Sequence, residues 1–395
     1  MTATHLDRPG SALAAPPAPT ESLRSRVRRF AATEISPIAL EHDQRGTTPL
    51  HAYRAFWEQG LAAPFIPEPG QPPAPYLADA CLMAEELAYA DAATASLIML
   101  PVFLHRVVLS IIDEPLRSAY LQEVSSGPVV TSFAASEIGA GSDLLAVETD
   151  ATAVEGGYVL TGRKDYSSNL RHAAYVIVVV RTRPTAERSN EALTWFLVPT
   201  DAAGLQIGER WQTLGLRSMD LSPLILRDVH VPLEYRLGAE GGGLALMLQS
   251  LNQSRTGIAA MAVGIARRAR DEVLAFGTKR RLYGDKLVKL QDYRFRIAEM
   301  EKDIAAARAL VSVSAAQYDG GLDHAKEASI AKLFAGQMVM RVTEAASTML
   351  GSVGYTGQSL VEKLFRDARH TSIVEGTEPI HKELIFASVL RRGGY

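Results

Sequence analysis

The residues whose types and spacing could carry chemistry are few. Gly139-Ala-Gly-Ser-Asp-Leu144 opens like a dinucleotide-binding turn, in which glycines let the backbone approach a pyrophosphate. The third glycine is missing and no βαβ pattern surrounds the run, so a Rossmann site is excluded. There is no P-loop, no HExxH and no GxSxG. Nine histidines are scattered without metal-ligand spacing, and His324, His370 and His381 read as surface or packing residues. A single cysteine, Cys81, excludes an intramolecular disulfide and a thiolate cluster, which makes a reducing cytoplasm the expected compartment. Arg24, Arg26, Arg28 and Arg29 share one predicted helix. Such a run reads as a solvated face, with docking of an acidic partner as the alternative. Spacing by itself names no reaction.

The elements that must position any site are clearer. The chain has 395 residues and a formal net charge of −3, and 47% of its residues are hydrophobic. That composition suits a chain with a large core and removes the electrostatic case for nucleic-acid binding. No run approaches the ~20 uninterrupted apolar residues of a membrane span, so no membrane partner is expected. Residues 1–20 hold four prolines and lack the basic start and apolar run of a secretory signal. They read as a disordered tail, with a cleaved transit peptide as the alternative.

Over 21–127 the apolar spacing is helical: Leu23, Val27, Phe30, Ala31 and Ile35 recur at three and four residues, up to an interruption at Pro37. Ala95–Ile112 reads as a buried helical segment with a break at Pro101. Over 128–236 the period shifts towards two. Strands are expected at Pro128–Ala134, Tyr158–Thr161, Tyr175–Val180, Thr194–Val198, Leu205–Ile207 and Leu224–Val229. No helix separates them, which favours antiparallel pairing in a barrel or sandwich. Over 237–395 the helical period returns in Leu244–Phe276, Leu290–Tyr318, Lys326–Leu350 and a short Glu378–Arg391, as in an antiparallel bundle. The fold class is therefore α+β: helical domain, β domain, helical bundle.

Five segments, in order, resemble the acyl-CoA dehydrogenase family. They are Ser132-Phe-Ala-Ala-Ser-Glu-Ile-Gly-Ala-Gly-Ser-Asp143; Gly162-Arg-Lys-Asp-Tyr-Ser-Ser-Asn169; and Leu214-Gly-Leu-Arg-Ser218 with Val229-His-Val-Pro232 and Leu237-Gly-Ala-Glu-Gly-Gly-Gly243. Arg280-Arg-Leu-Tyr-Gly284 with Gln291 follows, then Gly351-Ser-Val-Gly-Tyr355, Arg366-Asp367 and Val374-Glu-Gly-Thr377. The resemblance implies an acyl-CoA dehydrogenase-like fold with an antiparallel β-barrel in the middle and a C-terminal four-helix bundle. It also implies FAD as cofactor and an acyl thioester substrate, carried by coenzyme A or by an acyl carrier protein, as in fatty acid metabolism. Electrons would pass to an electron-transfer flavoprotein or another acceptor.

The implied reaction is α,β-desaturation, in which a base takes the Cα proton while hydride leaves Cβ for flavin N5. A thioester α-proton is too weakly acidic for a carboxylate in water, so the site must be dry and must stabilise the enolate. Glu375 matches the family's base, with Gly376 allowing the sharp turn beside the substrate; a glutamate capping the last helix is the alternative. Some members carry the base on the helix after the glycine-rich loop, where this chain has Ser254, which cannot deprotonate carbon. Arg255 matches an arginine near the active site, and Ser142 the contact to the pantetheine–thioester region. By the same resemblance Phe133, Ala135, Ser136, Tyr166, Ser168 and Thr377 contact the flavin. Arg280 and Gln291 match residues that reach FAD across a subunit boundary, which implies a homodimer or homotetramer. Acyl length and branching would be set by a cavity that includes Leu97–Val102 and the helix after Leu244.

The chain departs from the family pattern at Ile138 (usually proline), Ser167 (usually isoleucine), Thr348-Met-Leu-Gly-Ser352 and Pro379. Two other readings stand beside the dehydrogenase: an oxygen-using oxidase or monooxygenase of the same fold, and a flavin-free binding protein.

Overall fold

The computed structural model describes residues 21–67, 75–183, 189–357 and 359–392. The expected tail, 1–20, lies outside them. Six helices come first: α1 (Leu23–Phe30), α2 (Ala39–Arg45), α3 (Leu50–Glu58), α4 (Leu77–Ala90), α5 (Ala92–Ile111) and α6 (Leu116–Ser126). A π-helical turn, Ala31–Ile35, extends α1 before the interruption at Pro37. Ser22 caps α1 through its hydroxyl, and the Asp91 carboxylate caps α5.

Helix α5 runs through Pro101 instead of breaking there. Proline removes one helical hydrogen bond, a penalty of about 3 kcal/mol, but Leu97, Ile98, Val102, Leu104 and Val108 on both sides are buried and hold the segment helical. By length and composition α5 could also cross a membrane, yet most of it is buried inside this structure.

The sheet follows: β1 (Thr131–Ala134), β2 (Asp150–Val154), β3 (Gly157–Ser168), β4 (Tyr175–Arg181), β5 (Leu193–Pro199), β6 (Leu205–Ile207), β7 (Leu221–Pro232) and β8 (Arg236–Leu237). Its order is β6-β7-β3-β2-β4-β5-β8, with β1 beside β4. Pairing is antiparallel except in two places. Strand β1 lies parallel to β4 over Thr131↔Tyr175 to Ala134↔Val178, and β2 meets β4 through Asp150↔Arg181. The expectation of uniformly antiparallel pairing is corrected to a mixed sheet, because the β2–β3 hairpin intervenes between β1 and β4 and returns the chain in the same direction.

The C-terminal part contains α7 (Gly243–Lys279), a hairpin β9–β10 (Arg281–Leu282, Asp285–Lys286), α8 (Gln291–Asp319), α9 (Ala325–Leu350), α10 (Leu360–Thr371) and α11 (Glu378–Arg392). Helix α7 packs on α8, α9 and α10, and also on α4. One hydrophobic core joins the first helices to this bundle, with Leu87, Ala88, Ile265, Ala266 and Val339 all buried in it. A second core, including Val108, Trp195 and Met247, lies where α5, the sheet and the start of α7 meet. The close approach of α4 to α7 depends on Gly264, where a Cβ would stand 2.3 Å from the Glu85 carbonyl oxygen.

The basic run on α1 lies on a largely solvated face, as expected, and is internally paired. Arg24 and Arg28 both bond the buried Glu86 carboxylate, Arg29 pairs with Glu21, and Arg26 donates to the Gln59 carbonyl.

Candidate active site

After α10 the chain turns into the Val374-Glu375-Gly376-Thr377 loop. Glu375 and Gly376 both have positive φ, 60° and 109°. Only glycine adopts such angles readily, so Glu375 holds its conformation through what surrounds it. Three side chains from three helices do this. Arg255 of α7 donates from Nε to the Glu375 carbonyl at 3.0 Å. Lys332 of α9 donates from Nζ to the Gly376 carbonyl at 2.5 Å. His381 of α11 places Nε2 at 3.0 Å from that same oxygen, which makes Nε2 the protonated nitrogen. Both carbonyls are thus turned into the protein. The N–H groups of Glu375 and Gly376 form no hydrogen bond among the described residues.

The Glu375 side chain is half-buried, and its Oε2 accepts from the Ser254 hydroxyl at 2.9 Å. Burial pushes this carboxyl above the usual carboxylate range, opposed by the Ser254 hydrogen bond and by the charges of Arg255 and Lys332. The carboxylate does not cap α11. Its partner is 121 residues away in sequence, on α7. Burial likewise pulls Lys332 down to about 8, and holds His370 and His381 down at about 4, with Lys332 adding to the effect. His324 is a buried packing residue, as expected, whereas His381 is buried and tied to the loop.

The sheet contributes a second cluster. Phe133 on β1 meets Trp195 edge to face at 5.2 Å. The Ala135 carbonyl accepts from Lys164 at 3.0 Å, and the Ser136 carbonyl accepts from the Asp165 N–H at 2.9 Å. Ser132 Oγ donates to the Ser168 carbonyl at 2.7 Å. The 131–136 segment therefore lies alongside 164–168. Tyr166 is 49% exposed, its ring 6.0 Å from Trp211, whose indole N–H donates to the Asp165 carbonyl at 2.7 Å. The hydroxyls of Ser136, Ser168 and Thr377 are partly accessible and form no hydrogen bond among the described residues. An open aromatic platform with the Ser136 and Ser168 hydroxyls on the adjoining segments suits a flavin ring, which needs stacking on its face and donors at its polar edge; Thr377 lies apart in sequence, on the Glu375 loop.

One departure from the family pattern acquires a physical role and another does not. Ile138 supplies an N–H that proline lacks, and this N–H donates to Asp165 Oδ2 at 2.9 Å. Ser167 is buried with its hydroxyl unpaired.

Arg280 and Gln291 do not join either cluster in one chain, and nothing in the structure bonds Ser142 to either among the described residues. Ser142 is exposed. Arg280 and Gln291 are exposed at the far end of α7 and the start of α8, and neither side chain has a partner among the described residues. Arg280 follows Arg255 by 25 positions, about 37 Å along α7 at 1.5 Å per residue. It cannot serve the Glu375 end of its own chain.

Sequence reasoning missed Lys332, whose signal is a lysine on an alanine-lined helical face, between Ala328 and Ala335. It also missed the buried Glu137–Lys164 pair, N–O 2.8 Å, which fixes the 135–137 turn while Glu137 accepts from Glu148 and Thr149. Trp211 was missed as well; its exposure beside Tyr166 is visible only in three dimensions.

Comparison with known proteins gives the family. Residues 18–128, 132–229 and 241–390 match the acyl-CoA dehydrogenase N-terminal, middle and C-terminal domain families in turn. The chain is 32% identical over 373 residues to the mouse mitochondrial short-chain specific acyl-CoA dehydrogenase, covering 94% of this chain and 90% of that one. Among solved structures it is similar to butyryl-CoA dehydrogenase from Megasphaera elsdenii, with a TM-score of 0.89, 27% identity, and 94% and 99% of the two chains covered. It is also similar to the prolyl acyl carrier protein oxidase AnaB, with a TM-score of 0.85, 25% identity, and 93% and 97% covered. Three domain matches in order and this identity over nearly the whole chain place it: the chain belongs to the acyl-CoA dehydrogenase family, oxidoreductases that act on CH–CH groups.

Proposed function

We propose that the protein carries out FAD-dependent α,β-dehydrogenation of an acyl thioester, with Glu375 as the base that removes the α-proton. One observation carries this reading. A single residue, Glu375, offers a carboxyl held by Ser254 and a backbone N–H without a partner among the described residues, while its own carbonyl is tied back by Arg255. A base and a donor for the thioester oxygen in one residue is what proton abstraction from a weak carbon acid requires, since the proton can leave only as the carbonyl oxygen gains stabilised charge. Burial strengthens the base by raising its pKa, and the Ser254 hydrogen bond with Arg255 and Lys332 keeps that rise in check.

Members of the family bind FAD, and the Tyr166–Trp211 platform with Ser136, Ser168 and Thr377 fits the group. Bound there, FAD supplies the acceptor for the hydride that leaves Cβ. The isolated positions of Arg280 and Gln291 support a homodimer or homotetramer in which these two residues complete a neighbouring subunit's cofactor site; an exposed guanidinium without a counter-ion is a suitable partner for a pyrophosphate. Cys81 is buried and unpaired, which supports a reducing, cytoplasmic location.

Coenzyme A is the first choice of thioester carrier. Three of the α1 arginines that could meet an acidic carrier protein, Arg24, Arg28 and Arg29, already have carboxylate partners within the chain. The likeness to AnaB keeps carrier-bound substrates, and oxygen as acceptor, as arms of the test.

The test compares Glu375→Gln with the wild type for anaerobic flavin bleaching by a panel of acyl-CoA and acyl-carrier thioesters. The variant is expected to keep its flavin and lose at least ~100-fold in rate, the lower end for a positioned acid–base group. Bleaching at the wild-type rate would overturn the assignment of the base. Turnover with an artificial acceptor and no peroxide distinguishes the dehydrogenase from an oxidase.

A further inference from the structure

Behind the loop that carries Glu375 sits a charged group that the proton abstraction itself does not use. Lys332 is 2% exposed, on the face of α9 that also buries Ala328, Ala331 and Ala335. No carboxylate bonds it among the described residues; its Nζ is spent on the Gly376 carbonyl. The charged and titratable groups that face it are Glu375 from the loop, Arg255 from α7, Glu378 and His381 from α11, and His370 from α10. Burying an ammonium without a direct counter-ion is expensive, and an apolar side chain would fill the same space at lower cost. The contact it makes accounts for its presence. Lys332 and His381 grip one oxygen from two helices, and Arg255 grips the preceding one from a third. Together they fix two consecutive residues in left-handed backbone, and the grip is made on the two carbonyls, leaving the N–H groups of Glu375 and Gly376 unbonded among the described residues.

We propose that Lys332 is a positioning residue for the reaction: its ammonium holds the Gly376 carbonyl from behind the loop, so that the carboxyl and the N–H of Glu375 stay aimed at one substrate. The role rests on the reading of Glu375 as the base. A consequence follows from charge. The ammonium, still protonated at neutral pH, opposes the upward push of burial on the Glu375 carboxyl. Its removal therefore raises the pH at which the base becomes competent.

The test uses the flavin-loaded full chain with butyryl-CoA as probe, anaerobic bleaching as the rate, and flavin content and thermal midpoint as controls. Lys332→Met is expected to keep its flavin, its thermal midpoint and a nearly unchanged KM. Its kcat falls about 10- to 100-fold, the upper figure being the cost of a ~1 Å misplacement of a reacting group. The acid limb of its pH profile moves to higher pH. Lys332→Arg restores the acid limb but not the full kcat, because a planar guanidinium does not reproduce a point donor. If Lys332→Met fails to fold, Lys332→Gln carries the same expectations.

Wild-type kcat with an unmoved acid limb overturns the proposal. So does a loss of kcat matched by loss of flavin and thermal midpoint with the limb in place, which is the signature of a structural role. Glu375→Gln in the same assay separates the two ideas. If it remains active, the reading of the base fails. If it is inactive while Lys332→Met is unaffected, only the role of Lys332 fails.

Discussion

Two buried lysines in the helical bundle are arranged in opposite ways. Lys363 on α10 is 1% exposed and lies between two carboxylates, bonding Asp91 at 2.5 Å and Asp367 as well. Burial alone would lower its pKa, but the two carboxylates outweigh that and hold it above the usual lysine range. Each carboxylate also has a backbone task. Asp91 accepts from the Thr94 N–H at 2.8 Å and caps α5, and Asp367 accepts from the Leu216 N–H at 2.7 Å in the loop that leads to β7. Lys363 thus ties the N-terminal helices, the bundle and the β region together at one point. Lys332 has only a carbonyl, and burial pulls it down to about 8. Counter-charge makes a buried lysine a rivet; its omission leaves a group whose state depends on the loop beside it. Strongly perturbed groups of the second kind gather where chemistry occurs.

The contrast can be broken most directly through stability. Lys363→Met leaves Asp91 and Asp367 facing each other without a cation, and removing one partner from a buried ion pair costs about 3–5 kcal/mol. Denaturant unfolding should register that loss, whereas Lys332→Met, which removes an uncompensated charge, should register little or none. Equal losses from the two would mean that both lysines are structural.

A smaller effect is expected at Gly215, where α10 meets the β region. A Cβ there would stand 2.3 Å from the Arg366 carbonyl oxygen and 2.6 Å from the Asp367 nitrogen, both backbone atoms. Gly215→Ala must therefore shift α10, at a cost of about 1–3 kcal/mol for overpacking. Because α10 leads directly into the Glu375 loop, the rate of flavin bleaching should fall together with the thermal midpoint. A lower midpoint with an unchanged rate would show that the loop is held by Arg255, Lys332 and His381 independently of α10.

What could be read in advance follows from the same distinction. Where burial is apolar the sequence carries a clear period: β6 matches the expected Leu205–Ile207, and α8 (Gln291–Asp319) matches the expected Leu290–Tyr318 to within one residue at each end. Helix α10 was not anticipated, because its inward face carries Lys363, Arg366 and Asp367, and charges on the buried side erase the apolar repeat. Strand β2 was missed for the converse reason: four of its five residues are exposed. The parallel partnership of β1 with β4 has no local signal at all, since pairing direction is decided by the path of the chain between them. In the site, Glu375 stands out only through the motifs around it. The groups that hold it come from α7, α9 and α11, and nothing in the local sequence of the loop names them.

The finest test of the contrast is the hydrogen bond from Ser254 to Glu375. A hydroxyl donating to a carboxylate stabilises the charged form, so the bond lowers the pKa that burial raises. Ser254→Ala removes it and leaves Arg255 and Lys332 in place. The base then needs a higher pH to ionise, and since Glu375 acts when deprotonated, activity is lost on the acid side and retained on the alkaline side. The expected outcome is an acid limb displaced to higher pH, with kcat on the alkaline plateau near the wild-type value and flavin content unchanged. Lys332→Met should displace the limb in the same direction but also lower the plateau, because it loosens the loop as well as removing charge. A plateau lowered equally by both variants would show that Ser254 orients the carboxyl rather than tuning it, and the division between tuning by a hydroxyl and positioning by an ammonium would have to be redrawn.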